Sequence, residues 1–123
     1  MPFWRIYYHL VWGTKNREPT IDEVREETIR RSLRATSTQY QALVHAIGVM
    51  PDHVHLLVGC DPQFGIHRLV KLIKGRSSLL LRKEFAKIKS RLPSLWTNSY
   101  FVCTVGGAPL SIIMQYIENQ KTV

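Results

Sequence analysis

The sequence predicts an α+β fold of the ferredoxin-like βαββαβ type, with an antiparallel sheet, helices on one face and a further C-terminal helix. Three observations predict this class. Four short runs are rich in aromatic and β-branched residues, as strands are. Two long amphipathic segments separate the first run from the second and the third from the fourth, while a Pro-Asp turn joins the middle two. That order is the split βαβ pattern, and a length of 123 residues favours one domain spanning residues 1–123.

The first half of the chain contains a strand and a helix. Residues Phe3–Trp12 are aromatic and aliphatic without Gly or Pro, and they predict the first strand. A basic loop, Gly13–Pro19, follows. Thr20, with Glu23 as its capping-box partner, is expected to begin a helix from about Ile21 to Tyr40. Acidic residues precede basic residues along this helix, which is the order that the helix dipole favours.

The second half contains a hairpin, a long helix, a strand and a last helix. Ala42–Val49 and His53–Cys60 are predicted to be the strands of the hairpin. An amphipathic helix is expected from about Gly65 to Ile88, although a glycine interrupts it, and a fourth strand over Tyr100–Val105. Pro109 lies near the start of the last helix.

The charge of the chain predicts a polyanionic partner. Seventeen Lys and Arg residues stand against nine Asp and Glu residues, which gives a net charge of +8. Residues 68–91 contain nine basic residues and a single acidic one, Glu84. Concentrated positive charge is expected of a protein that binds nucleic acid, and a solvated helix face is the alternative.

No apolar run approaches the roughly 20 residues that a membrane span needs, so no membrane partner is expected. The N-terminal residues lack the features of a signal peptide, and a cytoplasmic location is expected. The two cysteines, Cys60 and Cys103, are too few for a disulfide framework and are expected to be buried free thiols.

Two histidines are candidate metal ligands. His53 and His55 are two residues apart on a predicted strand, so both side chains project from one face. Imidazole is a common ligand of divalent metals, but this pair needs a third ligand from elsewhere, and two partly exposed histidines on a sheet are the alternative. Cys60 and Cys103 lack the spacing of a zinc site. Leu57 stands where a histidine-triad hydrolase needs its third histidine.

The last predicted helix supplies two further candidates. Tyr116 and Gln120 are four residues apart and therefore lie on one helix face. The amide oxygen of Gln120 is a candidate third ligand. The phenol of Tyr116, with an ordinary pKa of about 10, is a poor nucleophile unless it is activated, and packing is the more common role of such a tyrosine.

Five segments of the chain carry a family resemblance. They are PDHVHLLV at 51–58, LIKGRSS at 72–78, WTNSYF at 96–101, VGGAP at 105–109 and YIENQ at 116–120. Together they resemble the HUH single-tyrosine transposases, the TnpA proteins of small bacterial and archaeal insertion sequences. The REP-associated tyrosine transposases are close relatives of that family, and the resemblance covers nearly the whole chain.

The resemblance implies a specific chemistry. His53, His55 and Gln120 are expected to bind a divalent metal ion, Mg²⁺ or Mn²⁺, and Tyr116 to be the nucleophile that forms a 5′-phosphotyrosine. The expected substrate is single-stranded DNA with hairpins near the element ends, and the expected assembly is a homodimer with a merged sheet.

DNA contacts are predicted at the basic loop and along the second helix. A non-catalytic ferredoxin-like nucleic-acid-binding protein is the alternative function, while replication initiators and relaxases usually have larger chains. The predicted contacts are Lys15 and Arg17 in the loop and Lys71, Lys74, Gly75, Arg76, Ser77 and Ser78 in the helix.

Overall fold

The structure is a computed structural model and describes residues 6–85 and 95–105. The strands lie in the order β2-β3-β1-β4, and every neighbouring pair is antiparallel. This confirms the predicted α+β class with its ferredoxin-like sheet. The elements are β1 (Ile6–Gly13), a 3₁₀ turn (Lys15–Arg17), α1 (Glu23–Gln39), β2 (Leu43–Met50), β3 (His53–Cys60), α2 (Ile66–Glu84) and β4 (Phe101–Thr104).

The predicted boundaries differ from the observed ones mainly at helix ends. Asp22, not Thr20, caps α1, because its carboxylate accepts a hydrogen bond of 2.9 Å from the backbone N–H of Arg25. The helix α2 begins after Gly65, which has a φ of 93°. The predicted last helix lies outside the described residues, as do the first residues of the predicted first strand.

The hydrophobic core lies between one face of the sheet and the two helices. Ile29 and Leu33 of α1, with Ile21 just before the helix, face this core, whereas Val24 in the first turn is 64% exposed. Cys60 is buried as predicted, whereas Cys103 is exposed, so its predicted burial is wrong. The core residues of the sheet are Leu10, Trp12, Ile47, Val49, Val54, Leu56 and Val58, and those of the helices are Ile29, Leu33, Leu69, Val70, Ile73 and Leu81.

The opposite face of the sheet carries the histidines. His55 pairs with Val11 of β1 and with Gly48 of β2, and residues that pair directly point to the same face. His9 pairs with Leu57 and therefore lies on this face too, one diagonal step from His55. None of the described helices is long and apolar enough to cross a membrane.

Candidate functional site

His53 and His55 lie side by side at one end of β3, as the strand period predicted. Their ring centroids are 5.0 Å apart and their planes are inclined by 68°. His55 is only 7% exposed, whereas His53 is partly exposed. The sequence therefore produces one sheltered and one accessible imidazole on the same face.

A third histidine, His9 of β1, contacts the pair. Its Nε2 lies 3.0 Å from Nδ1 of His55, and the two rings are nearly parallel, with centroids 5.3 Å apart. His9 was not predicted to belong to this site, because it is the only histidine in its strand and lies 46 residues from its partner in the sequence. Period two along β1 places His9 on the same face as Tyr7 and Val11. Because Val11 pairs with His55, this pattern locates His9 near the histidine pair once β1 is known to lie beside β3.

Asp52 fixes the orientation of His53. Its Oδ1 lies 2.6 Å from Nδ1 of His53, while the Arg17 guanidinium lies 3.5 Å from the same nitrogen. A guanidinium only donates and a carboxylate only accepts, so the shorter contact decides the direction. Nδ1 of His53 donates to Asp52, so in the neutral form of this imidazole Nε2 carries no proton.

The charges of the site follow from these contacts. Burial lowers the pKa of His55 to about 4, and the His53 and His9 imidazoles add to the effect. Burial also lowers the pKa of His9. The hydrogen bond from His53 lowers the pKa of Asp52, and Arg17 lowers it further, while burial acts in the opposite direction. At neutral pH, His55 is thus a neutral imidazole and Asp52 an ionised carboxylate.

The donor set fits two of the ligands of a divalent metal. Both imidazoles use Nδ1 for their hydrogen bonds within the described residues, and a neutral imidazole coordinates through its remaining nitrogen. Within residues 6–85 and 95–105, however, no group of three or more His, Cys, Asp or Glu side chains is placed to hold a metal ion. A complete site needs a further ligand. The residue predicted for that role, Gln120, and the predicted nucleophile, Tyr116, lie outside the described residues.

The loop that carries Arg17 has an unusual backbone. Asn16 and Arg17 have φ values of 58° and 55°, in the left-handed region that side chains other than Gly rarely adopt. This path carries the guanidinium across the end of β1 to Asp52, where it forms an ion pair of 3.1 Å. A Cβ at Gly13 would lie 2.8 Å from Cδ of Arg17, so a larger residue there would displace the Arg17 side chain from its present position. The Arg17 side chain is 62% exposed and remains accessible to a ligand.

A groove between α2 and residues 95–100 contains several of the predicted DNA contacts. Its volume is about 490 Å³. Lys71, Lys74, Gly75 and Ser78 line its helical side, where Lys71 and Gly75 are exposed. The opposite side is formed by Trp96, Thr97, Asn98 and Tyr100, and His67 and Arg82 add to the helical side. None of these six residues was predicted to contact DNA.

Lys74 links α2 to the opposite wall of this groove. Its ammonium donates to the backbone carbonyls of Thr97 (2.6 Å) and Ser99 (3.2 Å) and lies 6.0 Å from the centre of the Tyr100 ring. Burial lowers its pKa. Thr97 in turn donates its backbone N–H to the carbonyl of Gly13, so the groove wall is bonded to the start of the Arg17 loop.

Two of the predicted DNA contacts occupy structural positions. Ser77 is fully buried: its hydroxyl donates to the carbonyl of Ile73 and accepts the indole N–H of Trp96 at 2.9 Å. It offers no surface to DNA. The Arg76 guanidinium donates to side chains of α1 and of the residue after it, including the Tyr40 hydroxyl at 2.7 Å, and stacks over the Tyr40 ring. It thus braces the two helices. The remaining residue, Lys15, is partly buried, and its backbone N–H bonds to the carbonyl of Leu95.

Comparison with sequence families places these features in a known group. The profile of the family described as "Transposase IS200 like" matches residues 2–120. The ISDra2 transposase TnpA of Deinococcus radiodurans is 34% identical over 119 residues, which cover 95% of this chain and 85% of that protein. The transposase for insertion sequence element IS200 of Salmonella typhimurium is 28% identical and covers 95% of this chain and 78% of that protein.

Two solved structures of transposases are similar to the structure of this chain. A crystal structure of a Deinococcus radiodurans R1 protein described as a transposase is 39% identical, with a TM-score of 0.77, over 97% of this chain and 93% of that one. A REP-associated tyrosine transposase bound to a REP hairpin has a TM-score of 0.67 and covers 91% of this chain and 62% of that one. At 11% identity, that second similarity shows the shared fold alone.

Proposed function

The chain belongs to the IS200-like transposase family, and we propose that it cleaves and rejoins single-stranded DNA through a 5′-phosphotyrosine at Tyr116. The observation that carries the proposal is the face of the sheet on which His53 and His55 stand together. Each imidazole there uses Nδ1 for a contact with a neighbouring side chain, which leaves Nε2 of each ring as the atom that can face a metal ion. A non-catalytic nucleic-acid-binding domain does not require that arrangement.

His53 and His55 hold a divalent metal ion, Mg²⁺ or Mn²⁺, and Gln120 completes the protein ligands. When bound, the ion supplies Lewis acidity at the scissile phosphate and orients it. Asp52 supports this set by accepting the Nδ1 proton of His53, since such outer hydrogen bonds fix the ring and raise its basicity. The low pKa of His55 keeps its imidazole neutral well below neutral pH.

The bond changes at phosphorus balance without a nucleotide cofactor. The phenolic oxygen of Tyr116 attacks the phosphorus, and the bond from phosphorus to the 3′ oxygen breaks. The phenol proton is lost and a proton is taken up by the departing 3′ oxygen, which leaves as a free hydroxyl. In the joining step a 3′-hydroxyl attacks the phosphotyrosine, and the phenol of Tyr116 is regenerated.

Arg17 is placed to hold DNA beside the histidines. Its guanidinium pairs with Asp52 and lies 3.5 Å from His53, yet most of the side chain is exposed. A guanidinium can bind a phosphate oxygen while it keeps a second contact to a carboxylate. Arg17 thus contacts a phosphate next to the one that is cleaved. The left-handed backbone at this loop is the kind of strain that is kept where it has a function.

The groove beside α2 binds the hairpin of the substrate. Lys71 is exposed at its rim, and Lys74, Gly75 and Ser78 line its side. Charge-assisted contacts to phosphate account for most non-specific affinity for DNA. The structural relative that carries a REP hairpin has the same fold, which is consistent with hairpin binding here. The backbone hydrogen bond from Thr97 to Gly13 brings the groove wall next to the Arg17 loop, so a DNA strand that leaves the groove reaches the histidines.

The proposed active form of the protein is a homodimer.

A cleavage assay on single-stranded DNA tests this proposal. The wild-type protein, incubated with Mn²⁺ and a hairpin-bearing strand from the DNA that flanks its gene, should form a covalent protein–DNA adduct. Tyr116→Phe should form none. Tyr7→Phe is the matched control, since it removes a hydroxyl on the histidine face and keeps the ring contact with His45. An adduct that persists in Tyr116→Phe contradicts the proposal.

A further inference from the structure

His9 lies beside the histidine pair but has no role in the function proposed above. It is partly buried in the middle of β1, at a diagonal position to His55 that the register of β1 and β3 fixes. Two contacts join the rings: a hydrogen bond of 3.0 Å between His9 Nε2 and His55 Nδ1, and a near-parallel arrangement inclined by 25°. The ring plane of His55 is therefore set from outside its own strand.

We infer that His9 is a positioning residue, which accepts a hydrogen bond from Nδ1–H of His55 and so directs the Nε2 lone pair of His55 toward the metal. This inference rests on the proposed function, because it assigns His9 a role only if His55 is a ligand. It also gives each of the two candidate ligands a hydrogen-bond acceptor at Nδ1. Asp52 accepts from Nδ1 of His53, and His9 accepts from Nδ1 of His55.

The direction of the bond decides whether His55 can coordinate. Two neutral imidazoles share one proton across this contact, so either ring nitrogen can be the donor. If His9 donates from Nε2, His55 carries its own proton on Nε2 and has no lone pair there for a metal. If His9 accepts, His55 is protonated on Nδ1 and its Nε2 is a ligand. For His53 the carboxylate removes this ambiguity, because an ionised Asp52 only accepts.

His9 thus favours the Nδ1-protonated tautomer of His55 in the metal-free protein. Outer hydrogen bonds of this kind typically change metal affinity by about 10–100-fold when they are removed. Glutamine at position 9 carries its amide at nearly the same distance from the backbone as Nε2 of histidine, so it can still accept from His55. Leucine fills similar space and accepts nothing.

The test reads tautomer and affinity separately. Long-range ¹H–¹⁵N spectra of the metal-free wild-type protein, with the His55 signals assigned from His55→Gln, should show His55 protonated on Nδ1. In His9→Leu the His55 pattern should shift toward protonation on Nε2, and Mn²⁺ affinity measured by electron paramagnetic resonance should fall about 10–100-fold. His9→Gln should restore both. His67→Leu is the matched control, because His67 bonds to Tyr100 in the groove and should leave both readouts unchanged.

Two results would overturn the inference: His55 protonated on Nε2 in the wild-type protein, or His9→Leu that folds, by circular dichroism, and binds Mn²⁺ with wild-type affinity. A failure of the proposed metal site is distinguishable, since Mn²⁺ affinity would then be insensitive to His53→Ala. The tautomer of His55 is measured without metal and is read independently of that outcome.

Discussion

Acidification of the metal-free protein from pH 7 to pH 5 should lower its free energy of unfolding by about 2 kcal/mol through His55 alone. The folded state holds the pKa of His55 at about 4, against its ordinary value of 6.5. As the pH falls through 6.5 the unfolded chain takes up a proton that the folded protein does not. Stability that is present above pH 6.5 is therefore lost between pH 6.5 and about 4.

The magnitude follows from the two pKa values. One pKa unit corresponds to about 1.4 kcal/mol, so the full difference between 6.5 and about 4 is worth about 3 kcal/mol. At pH 5 about 2 kcal/mol of this has been lost, and the rest follows as the pH approaches 4. Because His55 is only 7% exposed, solvent screening reduces the figure little.

Urea denaturation at pH 7 and pH 5, in the presence of a chelator, measures this loss. The matched control is His55→Gln, which keeps a polar side chain at this position and cannot titrate. Subtracting its pH dependence removes the contributions of His9 and of every other titrating group. If the wild-type protein and His55→Gln lose the same stability between the two pH values, the burial argument for His55 is wrong.

Three substitutions test the rest of the site. Arg17→Ala should reduce cleavage more than hairpin binding, because Arg17 lies beside His53, and Arg34→Ala on the exposed side of α1 should change neither in the same assays. Lys71→Ala should weaken hairpin binding and reduce the salt slope of log K by about 1, measured by fluorescence anisotropy over a salt series. Ser77→Ala should cost about 1–3 kcal/mol in urea denaturation, because it removes the buried acceptor of the Trp96 indole N–H.

Local signals in the sequence were sufficient for the fold and for the histidine pair. Period two along β3 places His53 and His55 on one face, and a turn that contains Pro51 fixes where that strand starts. Both depend only on near neighbours in the chain. Helix ends were less predictable, because Thr20 and Asp22 are both good caps and only the folded backbone selects Asp22.

Long-range contacts were not predictable from local signals. His9 and Arg17 meet β3 only through strand pairing and through a loop whose backbone is left-handed at consecutive residues. Ser77 follows the basic motif of α2, yet it faces inward under Trp96. One sequence motif can therefore contain both surface and structural residues, and only packing separates the two.

In the proposed function, DNA cleavage depends on the histidine face, whereas hairpin binding depends on the groove beside α2. The most direct measurement compares His53→Ala with the wild-type protein on the same hairpin-bearing strand in Mn²⁺, scoring covalent adduct and equilibrium binding together. His53→Ala should form no detectable adduct and should bind the hairpin nearly as tightly as the wild-type protein. Adduct formation at the wild-type level in His53→Ala, or loss of hairpin binding together with cleavage, would contradict it.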